Sequence, residues 1–407
     1  MRCSASDPQA PGGKGGRPLF LARLTAAALA VGVTAACADE PAAARPQVEP
    51  VAAADLDAAI ARGVAFLVGD QNADGSFGTP RRTKDLNITA GIGSHHGFRA
   101  ATTALAVQAL VEEDDGSPAA ARAIDRGEAW LVTELPKVRR HDPMLIYNVW
   151  AHAYGIQALV ALHGRRPDDA PRRTRLEELI RGQYELLGRY ESVEGGWGYY
   201  DFGAGTQRPN SSSQSFVNAA VLVAFHDAKR IGVEPPEKLV RRALEATELQ
   251  KMPDFSYLYG SYLKWRPRRE VNRPPGSLGR SQACNLALRL WGDETITDAV
   301  LEEWLDRLVD RNGWLEMGRK RPIPHESFAQ VAGYFYYFGH YYAARVIEQL
   351  PPDARPRHQD ALARIMLAVQ DADGSWWDYP LYDYHQHYGT GYALMTLHRC
   401  RKPPREN

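Results

Sequence analysis

The chain has 407 residues, 44% of them hydrophobic, and 49 Lys+Arg balance 49 Asp+Glu for a formal net charge of zero. That length and apolar share are enough for one large core or two ordinary ones. Charge neutrality excludes a dedicated nucleic-acid binder, which needs a basic excess to displace counterions from phosphates.

Residues 1–37 read as an export signal: Arg17 and Arg23 precede an apolar run over 24–36 that is too short for a comfortable membrane span. The run ends Thr34-Ala35-Ala36-Cys37, which resembles a bacterial lipoprotein cleavage box with Cys37 as the lipidated residue. Ala36-Cys37-Ala38 also fits an ordinary signal-peptidase site, so plain secretion stays open as the alternative. The expectation is a periplasmic or cell-surface protein held on the membrane surface by its anchor. Residues 38–53, rich in Ala and Pro, read as a flexible spacer. Only Cys284 and Cys400 remain in the rest of the chain, so this is no disulfide scaffold.

From 54 to 402 two kinds of segment alternate within one domain. Residues 55–68, 118–135, 174–190, 236–250, 297–310 and 356–369 carry apolar residues at helical spacing with Arg and Glu between them, the pattern of half-exposed helices. Residues 99–111, 148–162, 214–228, 281–291, 326–349 and 388–398 are rich in Ala, Gly and aromatics and poor in charge, the pattern of buried helices. No segment alternates with period two, so almost no sheet is expected. Six outer and six inner helices in alternation predict an all-α fold, a closed (α/α)6 barrel.

Two near-identical stretches punctuate this pattern, Gln71-Asn72-Ala73-Asp74-Gly75-Ser76-Phe77 and Gln370-Asp371-Ala372-Asp373-Gly374-Ser375-Trp376. Glu194-Gly195-Gly196-Trp197-Gly198 and Asn312-Gly313-Trp314 are degenerate copies, and the aromatic positions are spaced by one or two multiples of about 60 residues. The repeat resembles that of the terpenoid cyclase and protein prenyltransferase superfamily. The resemblance implies an α/α toroid and an isoprenoid or other lipid held in a central aromatic cavity. It does not imply a complete squalene-type cyclase, because the chain has room for one barrel and lacks the Asp-x-Asp-Asp acid. The repeat itself reads as structural, with Gly for the tight turn and the aromatic packed between repeats.

Links from inner to outer helices are short, as at 112–117, 230–235 and 292–296, and those from outer to inner are long, as at 71–96, 191–213 and 251–280. In an alternating barrel all the long loops share one end, together with the inner-helix N-termini, and long loops on a rigid scaffold are where sites are built. Polar residues gather at those starts. His325, Glu326, His385 and His387 are the candidate catalytic groups. His95, His96, Asn148, His152, Trp150, Gln214, Gln282, Tyr336 and Tyr388 are the candidate ligand-binding ones.

Three readings of the cluster stand side by side: acid–base chemistry or ligand binding, capping without catalysis, and a metal site. The resemblance to prenyltransferase β subunits places 384–388 near a zinc-binding His, but no Asp-x-Cys precedes the fifth inner helix. Zinc is therefore not favoured, no metal ligand is assigned, and the cofactor stays open. Lys264, Arg266, Arg268, Arg269, Arg273 and Arg280 predict a basic mouth that draws anions. The partner expected is a hydrophobic or anionic small molecule. The alternatives are an (α/α)6 enzyme acting on an acidic polysaccharide, with Glu326 and a His as acid and base, and a non-catalytic envelope interaction module.

Overall fold

The computed structural model describes residues 48–402 except 87, 89, 115, 141, 202–207, 210 and 211. The export signal, Cys37 and nearly all of the spacer lie outside the described residues. The chain from Gln47 onward is a compact unit of its own.

Among the described residues there are thirteen α-helices and no strand. In chain order they are α1 (Ala53–Gly69), α2 (Ile92–Glu112), α3 (Pro118–Glu134), α4 (Asn148–Arg165), α5 (Ala170–Tyr190), α6 (Ser215–Arg230), α7 (Glu237–Glu248), α8 (Pro274–Leu290), α9 (Asp298–Asp310), the short α10 (Asn312–Glu316), α11 (Phe335–Ile347), α12 (Arg355–Ala368) and α13 (His385–Cys400). Helices α2, α4, α6, α8, α11 and α13 pack in that order, and α13 returns against α2 to close the ring. Helices α1, α3, α5, α7, α9 and α12 form the outer layer against them. This is the expected (α/α)6 toroid. Among the described residues no helix is long and apolar enough to cross a membrane.

Composition explains the layering. Inner helices are buried nearly all round, so small residues set their spacing. A Cβ on Gly339 of α11 would lie 2.7 Å from the Gly279 Cα of α8, so the two backbones touch only because both are glycine. Three of the outer helices start on capping side chains, with Ser117 accepting from Ala120 N–H, Asp169 from Arg172 N–H and Thr297 from Val300 N–H.

The repeat fastens layer to layer. Gln71 donates through Nε2 to the carbonyls of Gly75 and of Ala123 on α3, both at 2.9 Å. Gln370 does the same to Gly374 and to Ala59 on α1, again at 2.9 Å. The aromatic N–H then finds a hydroxyl on the next inner helix: Phe77 to Thr103 and Trp376 to Thr390, each at 3.0 Å. A copy that lacks the Gly-Trp signature stands near 255–259, where the spacing of the repeats calls for one: Asp254 accepts from Ser256 N–H at 3.1 Å and Oγ at 2.6 Å. Phe255 takes φ 59° in the turn position that Gly75 and Gly374 hold at φ 91° and 87°.

Three inner helices begin elsewhere than expected. Helix α2 starts at Ile92 and α8 at Pro274, where a proline suits the first turn. Helix α11 starts only at Phe335, because His325, Ala329 and Gln330 have φ of 63°, 56° and 57° and break any helix through them.

Candidate functional site

Five inner helices and the long loops enclose a cavity of about 520 Å³. Helix α2 contributes Ala101 and Leu105, α4 Trp150 and Tyr154, α6 Phe216, α11 Phe338 and α13 Tyr388 and Tyr392. Ile88, Tyr262, Pro324 and Leu381 border it from the long-loop side. Ten of its lining residues are tyrosines, and no Asp, Glu, Lys or Arg is among them. The rings brace one another: Trp150 stacks on Tyr154 with centroids 5.7 Å apart and planes at 9°, and Phe216 meets Phe335 edge-on at 4.9 Å.

A line of hydrogen bonds runs along the wall from the hydroxyl of Tyr199 to that of Tyr259, then at 3.2 Å to Tyr334 and at 3.0 Å to His325 Nε2. His325 Nδ1 faces the Gln330 carbonyl at 2.7 Å. A carbonyl only accepts, so Nδ1 carries the proton and Nε2 accepts from Tyr334. That orients the line, each tyrosine donating toward the histidine. Burial lowers the His325 pKa and favours this neutral form. The left-handed backbone at His325, Ala329 and Gln330 turns the imidazole to the wall, a local strain of the kind that gathers at functional sites.

Behind the wall, next to the start of α11, lies Asp378, fully buried. Burial pushes its carboxyl up to about 7, against the lowering effect of the Tyr388 hydroxyl and the Tyr337 N–H. Tyr388 donates to Asp378 Oδ1 at 2.7 Å, and the Tyr337 N–H to Oδ2 at 3.1 Å. Because Tyr388 lines the cavity, Asp378 stands one hydroxyl away from it. Sequence reasoning missed this residue. Its one signal is that it follows Trp376 by two positions, at the exit of a turn set aside as structural.

Of the residues singled out from the sequence, His325, Trp150, Gln214 and Tyr388 line the cavity. Gln214 precedes α6, and its Oε1 accepts from the Tyr199 N–H at 3.1 Å. His95 stays beside the mouth, its ring 4.5 Å from that of Tyr382. The others turn away from the axis. His96 faces Glu134 of α3 at 3.5 Å. His152 bonds Gln183 of α5 at 2.8 Å and neighbours Asn148 at 3.3 Å. Gln282 donates to the Trp304 carbonyl of α9 at 2.7 Å, and the Tyr336 hydroxyl accepts from Asn312 of α10 at 3.4 Å.

The expected convergence of His325, Glu326, His385 and His387 does not occur. Glu326 is exposed, 3.8 Å from Arg321 in the broken segment before α11. His385 packs on Trp377 and bonds the Tyr382 carbonyl at 2.7 Å, and His387 bonds Asp70 at the end of α1 at 2.9 Å. For Glu326 the physical reason is the broken, non-helical segment before α11; for the residues on helices it is helical rotation. Two residues along a helix is about 200° around it, so His152 faces outward where Trp150 faces inward.

Arg280 also leaves the set in which the sequence placed it. It is buried, its guanidinium donates to the carbonyls of Tyr257 at 3.0 Å, Gly276 at 2.7 Å and Val271, and burial lowers its pKa to about 10. It straps the fourth long loop to α8 rather than facing solvent. Among the described residues no group of three His, Cys, Asp or Glu is placed to hold a metal. Cys284 is buried, and burial pushes its thiol up to about 12.

Neither protein-family models nor curated protein sequences give a match to this chain. Solved structures do. An α-1,6-mannanase from Salegentibacter sp. HEL1_6 is similar at TM-score 0.52 and 9% identity, over 84% of this chain and 98% of that one. A possible member of the GH105 family from Salmonella enterica is similar at TM-score 0.50 and 12% identity, over 87% and 96% of the two chains. A type II terpene cyclase from Scytonema aligns at TM-score 0.47 and 13% identity, over 85% and 97%. At these identities the likeness to the first two shows the fold alone, an α/α toroid, and the chemistry must be read from the site.

Proposed function

We propose that the chain takes an isoprenoid or another lipid into the tyrosine-walled cavity, and that Asp378 and Tyr388 supply a proton there. The observation that carries the reading is the lining: aromatic rings on every side, and no charged side chain among them. A volume of about 520 Å³ lies within the usual range for small-molecule pockets. Below about pH 7 Asp378 holds its proton. With that proton on Oδ1 and turned toward the Tyr388 oxygen, the Tyr388 proton is free to pass to a ligand and the Asp378 proton replaces it, leaving the buried carboxylate. Aromatic faces around that point favour a positive charge developing on the ligand.

The carbohydrate reading is supported by the tyrosine hydroxyls and the Trp150–Tyr154 stack, surfaces on which a sugar ring also sits. Glycoside hydrolysis, however, ordinarily uses two carboxyl groups about 5–9.5 Å apart flanking the bond. Among the described residues no carboxyl group lines this cavity, and Glu326 lies outside it.

Native mass spectrometry after incubation with farnesol, and separately with a short mannan oligosaccharide, separates the two. The lipid reading expects a farnesol adduct that survives desalting and no oligosaccharide adduct. The reverse pattern overturns it. For the proton-donating role, Asp378→Asn is expected to retain the adduct and abolish any acid-dependent conversion of it.

A further inference from the structure

Every large apolar side chain exposed among the described residues lies in or beside a long loop, at the end where the cavity opens. Ile92, Met144, Val193 and Phe328 are examples from four different loops, and Trp265 in a fifth is 84% exposed. A surface exposes scattered apolar residues anywhere, so their confinement to one end is the informative fact. Around Trp265 stand Lys264, Arg266, Arg268, Arg269 and Arg273, all exposed, and none pairs with a described carboxylate. The Lys264 ammonium sits 5.6 Å from the Trp265 ring centre. The short links at the opposite end have the contrary character, with exposed Asp114, Asp168, Asp169, Glu234, Glu294 and Asp353 against Arg166.

We propose that the long-loop end is a peripheral membrane-docking face whose partner is a bilayer surface bearing anionic lipids. Trp265 and its apolar neighbours enter the interface, as amphipathic rings do at headgroup level. The cations beside them meet the phosphates, and the acidic end points away from the membrane. The orientation turns the cavity mouth to the lipid. The proposal rests on surface residues alone and stands whatever fills the cavity.

The test is sedimentation of the chain from Gln47 onward with phosphatidylcholine vesicles, with and without phosphatidylglycerol; this segment is a compact unit with a closed helical ring. Binding is expected to the anionic vesicles only, falling as salt rises. Each surface cation removed is expected to weaken it about fivefold, so Arg266→Gln, Arg268→Gln and Arg269→Gln together lower it by about a hundredfold. Trp265→Ala lowers binding and removes the fluorescence change on vesicle addition. Both variants alter exposed loop positions only, and unchanged helical circular dichroism controls for folding. Absence of binding, or binding undiminished in these variants, overturns the proposal. So does a concentration-dependent dimer, or retention by an acidic polysaccharide, without vesicle binding.

Discussion

The two ends of the barrel interior solve opposite electrostatic problems. At the closed end the last turns of the inner helices bring charges together. Arg345 of α11 holds Asp227 of α6 through two bonds of 3.1 and 2.8 Å, and Arg399 of α13 meets Glu112 of α2 at 2.6 Å. Glu348 lies 3.3 Å from both guanidinium groups. Toward the mouth the wall carries no charge, and its acid–base groups, Asp378 and His325, are held neutral by burial. Tyr341 joins the regions, its hydroxyl 3.3 Å from Arg345 and its ring 5.4 Å from Tyr392 of the cavity. The contrast teaches that paired charge fixes this ring at one end, whereas the region offered to a ligand is built from groups that burial keeps neutral at rest.

Cutting the floor is expected to have the largest effect. Asp227→Ala leaves Arg345 buried beside a half-exposed Glu348 and should cost about 3–5 kcal/mol in urea unfolding, with farnesol binding by the folded fraction unchanged. A loss below about 1 kcal/mol would show that the floor does not hold the ring.

The pH dependence of stability separates wall from seam. Asp378 is raised to about 7 when folded, from 3.8. The native state therefore binds the extra proton between those values, and this stabilisation, about 4 kcal/mol, is present below pH 3.8 and lost as pH rises through 7. His152 is lowered to about 4 from 6.5, so its contribution has the opposite sign. It is complete above pH 6.5 and about 3 kcal/mol is lost as pH falls to 4. Unfolding measured across pH should lose its alkaline decline in Asp378→Asn and part of its acid decline in His152→Leu. Unchanged slopes would contradict the assignment.

Smaller effects are expected along the wall. Tyr388→Phe leaves the Asp378 Oδ1 without its donor, costs about 1–3 kcal/mol and moves the alkaline decline to still higher pH. Tyr334→Phe interrupts the line between Tyr259 and His325 and should cost only about 1 kcal/mol in thermal unfolding. An equal cost for both would erase the distinction between the two halves of the wall.

Much of this architecture was legible in the sequence, because burial writes itself into composition: inner helices lose charge, outer helices keep one charged face, and Gln-x-x-Asp-Gly-Ser marks the turns. The Asp254 copy was legible from spacing alone, not from its motif, because Phe255 adopts a backbone conformation normally left to glycine. The candidate site was legible in part: Trp150, Gln214, His325 and Tyr388, singled out from the sequence, line the cavity, and Asp378 was not singled out. Sequence places a polar residue near a helix start but does not say which side of the ring it faces. That rotation sends His96, His152 and Gln282 into seams with the outer layer. It is decided by packing that a single sequence does not display.

The central claim is that the charge-free wall receives an apolar chain. Calorimetric titration of farnesol into the native protein and into Ala101→Trp, which fills the cavity from α2, tests it most directly. Saturable binding to the native protein, lost in the filled variant while the helical fold is retained, is the predicted result. No binding to the native protein, or equal binding to both, would contradict it.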